Sequence, residues 1–230
     1  MIEATGSVSI TVSVHTYNDP VSSSLAHSFQ VLGHVRLSIV DVGPEARQPF
    51  HDDEDQIHAV INGEFYDYET IRTDLIRKGH SFTSQCDSEI LIALYKEYGM
   101  SMMEHLRGEF SFCLYDSKNQ YFIAARDRYG VKPLFYTVHD GKLLIASEMK
   151  AFLAFGWEPE WDVQAVLESG YISDTRTLFQ GVQRIQAGHY LSVQSFGNIT
   201  QQNYWDIDYP DKVPAFISLL DMSESLIALV

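Results

Sequence analysis

Ala59-Val-Ile-Asn-Gly-Glu-Phe-Tyr-Asp67 decides how this chain is read, because an Asn-Gly pair closes an apolar run and a carboxylate follows it. Two interpretations fit these residues. Asn62-Gly63 suits a type I′ hairpin turn, whose two positive-φ positions favour this dipeptide. The same pair also suits an oxyanion site, with a side-chain amide and a backbone N–H aimed together at an oxygen that gains charge.

The segments on either side bear on the choice. Upstream lies Gly33-His-Val-Arg-Leu-Ser-Ile-Val-Asp41. Downstream come Cys86-Asp-Ser-Glu89, Leu106-Arg-Gly-Glu-Phe-Ser-Phe112, Ala125-Arg-Asp-Arg-Tyr-Gly-Val-Lys-Pro133 and Ala146-Ser-Glu-Met-Lys150. In this order they resemble the class II glutamine amidotransferase domain of the asparagine synthetase family. The resemblance implies an α+β fold of the N-terminal-nucleophile hydrolase type, a four-layer αββα sandwich of two antiparallel sheets. It also implies a domain that hydrolyses glutamine and passes ammonia to a second domain, which activates a carboxylate with ATP. The expected organisation is a divergent N-terminal segment over 1–30 with one strand, the amidotransferase domain over 31–210, and the start of a linker or synthetase domain over 211–230.

Glutamine offers an α-carboxylate, an α-ammonium and a side-chain amide, so a site that selects it needs a cation, an anion and an oxyanion hole. The resemblance assigns these to particular residues. Arg36 matches the arginine that clamps the carboxylate, a task suited to its planar fork of donors. Asp87 matches the aspartate that receives the ammonium, and it is equally a good N-cap for a helix starting near Ser88. Asn62 and Gly63 match the oxyanion hole, and Glu64 matches the acidic residue that lines the pocket. Glu89 is explained by its helix position alone. Arg126-Asp-Arg128 with Lys132-Pro133, and Glu148 with Lys150, match segments that lie toward the partner domain; a charge network bracing a turn is the competing interpretation.

Both ends depart from the family pattern. The family nucleophile is a Cys exposed by loss of the initiator Met, whereas this sequence opens Met1-Ile2-Glu3. The Arg-Gly-Pro-Asp segment is replaced by Asn18-Asp-Pro-Val-Ser-Ser-Ser24. Cys86 and Cys113, the only thiols, are internal and lack the free amine that activates a terminal nucleophile. Cys113 lies in an alternating strand pattern and reads as a small buried hydrophobe, while the charge of Asp87 works against a Cys86 thiolate. The Ser-Gly-Gly-x-Asp-Ser loop that holds the pyrophosphate of ATP is missing, and the apolar stretch Phe216 to Val230 needs a body or another chain to cover it. The expectation is a glutaminase domain of an asparagine synthetase-like enzyme that is impaired in turnover. ATP and Mg would belong to a synthetase domain, leaving this chain with no cofactor. The alternatives are a non-catalytic glutamine-binding or regulatory module, or a truncated fragment. L-glutamine, a synthetase domain or subunit, and a second copy of the chain are the expected partners.

Composition narrows the remaining classes. With 16 basic and 31 acidic residues among 230, the net charge is −15, which disfavours nucleic acid as a partner. No apolar run reaches the roughly 18 residues that cross a bilayer, and two cysteines do not make a disulfide framework. These features fit a cytoplasmic protein. The nine scattered histidines and the acidic loop His51-Asp-Asp-Glu-Asp55 do not suggest a metal cage.

Periodicity predicts a half-buried strand over Ser7 to Val14, helices over Tyr68 to Gly79, Ser88 to Tyr98 and Ser101 to Leu106, and a meander of strands over Phe110 to Asp116, Tyr121 to Arg126, Leu134 to Val138 and Lys142 to Ser147.

Overall fold

The architecture comes from a computed structural model that describes residues 10–15, 30–35, 43–168, 175–194 and 198–207. Strands β1 (Ile10–His15), β2 (Gln30–His34), β7 (Phe135–His139), β8 (Lys142–Ala146) and β9 (Gln183–Arg184) form one sheet in the order β2-β1-β8-β7-β9. Strands β3 (Phe50–Asp52), β4 (Ile57–Phe65), β5 (Gly108–Asp116), β6 (Tyr121–Arg126), β10 (His189–Gln194) and β11 (Thr200–Asn203) form the second, in the order β11-β10-β6-β5-β4-β3. Every pairing is antiparallel.

Three apolar layers follow from side-chain alternation. Along β4, Ile57, Ala59, Ile61 and Phe65 join one core cluster while Val60 joins another, so the strand is buried on both faces and its apolar run is nearly continuous. The first cluster lies under helices α1 (Tyr68–Arg77), α2 (Ile90–Tyr98) and α3 (Met102–His105). The second fills the space between the sheets, with Cys113, Leu143, Ile145 and Leu191. The third, with Leu144, Phe152 and Trp157, covers the outer face of the first sheet below the 3-10 helix Met149–Phe155. Helices, sheet, sheet and helical turns give the expected four-layer αββα sandwich.

The expected elements are present with shifted ends. The helix predicted from Ser88 opens as a 3-10 turn over Asp87–Glu89 before α2, and Gly99 ends α2 at a φ of 56° that favours glycine. The predicted strand at Ser7 to Val14 appears as β1, hydrogen-bonded on both sides between β2 and β8; residues 7–9 lie outside the described set. Across the sandwich, β1 packs on β4 and β5, and β2 packs on β4. The segment Asn62-Gly63 is not a hairpin turn. It lies inside the nine-residue strand β4, where Asn62 pairs with Ser111 and Gly63 with Phe110. Burial of the flanking Ile61 and Phe65 outweighs the local turn preference.

Candidate active site

Strand β4 carries the candidate residues to a place where, among the described residues, no further strand pairs with its edge. Its neighbour β3 is only three residues long and pairs with Ile57 to Ala59. Beyond Ala59 the edge groups are met by side chains instead. Gln48 donates Nε2–H to the Ile61 carbonyl at 3.1 Å, and its Oε1 accepts the Ile61 N–H at 2.6 Å. Four residues on, Asp87 Oδ2 accepts the Phe65 N–H at 2.7 Å. Gly63 lies midway between these two anchors, and strand alternation puts it on the same edge.

Gly63 has a φ of 121°, and a Cβ there would sit 2.0 Å from the Glu109 carbonyl oxygen. Gly108 is its reciprocal, with a φ of 140° and the Glu64 carbonyl oxygen 2.1 Å from where a Cβ would lie. Two glycines facing each other's strand therefore let β4 and β5 approach closely just where the site begins. Asn62 and Glu64 share the parity of Val60, which turns them towards the first sheet. Glu64 stands opposite Glu109, a like-charge pair relieved by Lys132, whose Nζ lies 3.6 Å from Glu109 Oε2.

Asp87 is buried, and among the described residues its second oxygen, Oδ1, has only long contacts, with Cys86 Sγ at 3.5 Å and Ser88 Oγ at 3.4 Å. The expected N-cap role is not seen. Asp87 is the first residue of the 3-10 turn, and its carboxylate crosses to β4 because the Phe65 N–H there would otherwise be unpaired inside the protein. Glu89 instead secures the preceding loop, accepting from the backbone and hydroxyl of both Thr83 and Ser84. Thus Asn62, Gly63, Glu64 and Asp87 are brought together. Arg36 lies outside the described residues.

The charge network expected at Arg126 to Lys132 is a brace, made with backbone groups. The buried Arg126 guanidinium donates to the carbonyls of Lys132 (2.6 Å), Ile185 (3.0 Å) and Gly130. The fully buried Asp127 carboxylate accepts from the N–H groups of Tyr129, Val131 and Lys132, each at 3.0 Å. Burial, with Arg184 nearby, lowers the Arg126 pKa. Lys150 pairs with Glu148. In the acidic loop, Asp52 and Asp55 both hold Lys96 Nζ, at 2.8 and 2.9 Å. Both thiols are enclosed, and burial pushes Cys113 far above the ordinary thiol range.

Gln48, Gly108 and Lys132 were not singled out as site residues by sequence reasoning. The Gly108 signal lay in Arg107-Gly-Glu109, which mirrors Asn62-Gly-Glu64 across the strand pair. A cleft of about 730 Å³ is lined by Gln48 and by Ile92, Ala93 and Lys96 of α2. None of Asn62, Gly63, Glu64 and Asp87 lines it.

A sandwich of two antiparallel sheets between helical layers, with an Asn-Gly-Glu segment at an open strand edge and a buried aspartate beside it, defines the class II glutamine amidotransferase architecture. Comparison with known proteins agrees. A family model described as a glutamine amidotransferase domain matches residues 21–205, so the chain belongs to that family. An amidase of Gibberella zeae, chry2, is 53% identical over 181 residues, covering 79% of this chain and 27% of that protein. Asparagine synthetase 3 (glutamine-hydrolysing) of Bacillus subtilis is 33% identical over 198 residues, covering 81% and 31%. Glutamine phosphoribosylpyrophosphate amidotransferase of B. subtilis shares the fold with a TM-score of 0.57 at 16% identity, covering 86% of this chain and 43% of that one. The chain thus spans about 27% of the length of the amidase and about 31% of that of the synthetase.

Proposed function

We propose that this domain holds L-glutamine against the open edge of β4, as the glutaminase part of an asparagine synthetase-like system. The carrying observation is the convergence of Asn62, Gly63, Glu64 and Asp87 at one strand edge, with Asp87 Oδ2 fixed to Phe65 and Oδ1 left for an ammonium. In this reading the Asn62 amide and the Gly63 N–H donate to the oxygen of the substrate carboxamide, which gains charge as the carbon becomes tetrahedral. Glu64 and Asp87 take the α-ammonium side, and Arg36 takes the α-carboxylate as a bidentate pair. Ammonia from that glutamine would amidate a carboxylate, aspartate by the asparagine synthetase precedent, in chemistry that needs a further domain or subunit.

The same reading gives these residues the binding of glutamine and takes no attacking thiol from the core. Cys86 and Cys113 are the only thiols of the sequence, and both are closed inside the core. Calorimetry of the chain with glutamine, beside its Arg36→Ala variant, tests the pocket. A binding heat that Arg36→Ala abolishes supports the reading. Equal heats, or none from the unmodified chain, overturn it.

A further inference from the structure

We infer that Gln48 is a positioning residue for the oxyanion donors, a role that rests on the glutamine-binding reading above. The register of β3 against β4 runs Asp52 to Ile57, His51 to His58 and Phe50 to Ala59. Continued by two residues, it sets residue 48 opposite Ile61. At that step the ladder changes hands. The primary amide of the Gln48 side chain, one acceptor and one donor, replaces the peptide groups that another strand residue would offer, at 2.6 and 3.1 Å.

This substitution has a geometric consequence. A continued backbone strand would go on to cover Gly63, whereas a side chain satisfies Ile61 and goes no further. The edge therefore opens at the next outward-facing residue while the peptide before Asn62 stays fixed. Asp87 fixes the far side at Phe65. With Ile61 and Phe65 both held, the intervening Asn62 and Gly63 have little freedom to rotate away from an approaching oxygen, so the donors are arranged before the ligand arrives. Gln48 is half-buried and its polar groups serve one residue, Ile61, from thirteen positions away in sequence. It touches the ligand at no point in this account and acts only through the strand.

The test separates positioning from general support. Glutamine is compared with norvaline, which keeps the α-amino and α-carboxylate groups and lacks the carboxamide that the Asn62-Gly63 donors would meet. Gln48→Glu keeps an acceptor for the Ile61 N–H and removes the donor to its carbonyl; Gln48→Ala removes both. The expected result is a fall in glutamine affinity of about tenfold for Gln48→Glu, the worth of roughly one hydrogen bond, with norvaline affinity unchanged. Unaltered discrimination, or an equal loss for both ligands, overturns the inference. If the unmodified chain binds no glutamine, the glutamine reading falls and takes this role with it; binding with unchanged discrimination in the variants removes this role alone. Should neither variant fold, amide exchange in the unmodified chain decides: Ile61 protected with and without glutamine and Gly63 protected only with it supports the role, and any other pattern overturns it.

Discussion

Asp87 Oδ2 accepts the backbone N–H of Phe65 at 2.7 Å, joining the start of one helix to the end of a strand 22 residues earlier. Charge-assisted bonds of this kind contribute about 1.5–3 kcal/mol, and a buried N–H left without a partner costs a comparable amount. Asp87→Ala is expected to destabilise the fold by about 2–3 kcal/mol. Asp87→Asn, whose Oδ1 can still accept, should lose less. Denaturant titration checks both: a lowered midpoint with unchanged slope for Ala, and a smaller shift for Asn.

Gly63→Ala is expected to be worse than any surface change. It sets a Cβ 2.0 Å from the Glu109 carbonyl oxygen at a φ of 121°, where the backbone itself disfavours a side chain. Backbone strain and overpacking together should cost about 3 kcal/mol or more. Gly33→Ala, where none of the described residues lies within 4 Å of the new carbon, is the matching control. Comparable melting temperatures for the two variants would contradict the close approach of β4 and β5.

The first sheet's outer layer supplies a pH test. Asp162 caps helix α4 (Val163–Leu167) through the Ala165 N–H at 2.9 Å and meets Arg176 twice, at 3.0 and 2.8 Å. The Arg176 bond first, then the Ala165 N–H, hold its carboxyl below the usual aspartate range. A depressed folded-state pKa contributes stability above the unfolded value, near about 4, and that stability is lost as pH falls through the lower folded value. The melting-temperature gap between the unmodified chain and Asp162→Asn should therefore be full at neutral pH and close below about pH 4. A gap that widens on acidification would show that the carboxylate is not the stabilising form.

Both cysteines should resist alkylation in the folded protein. Cys113 has no exposed surface and Cys86 only 3%, and burial raises the Cys113 thiol well away from thiolate formation at neutral pH. Intact-mass measurement after brief treatment with a thiol reagent should find no adducts in buffer and two in denaturant. Rapid labelling of the native protein would reopen Cys86 or Cys113 as a nucleophile.

The motif order, through the family it resembles, pointed to the four-layer class of fold, while the period-two runs such as Phe110 to Asp116 by themselves determined only strands of an antiparallel meander. The motif order also marked Asn62, Gly63, Glu64 and Asp87 as one constellation. Local sequence could not choose between a hairpin turn and a strand for Asn62-Gly63, since that choice depends on what packs against Ile61 and Phe65. Nor could it show that the Asp87 carboxylate caps no helix and crosses to β4, or that the Gln48 side chain completes a ladder that β3 abandons. Those outcomes are set by where unpaired N–H and C=O groups fall once the sheets are assembled, and only the tertiary structure fixes that accounting.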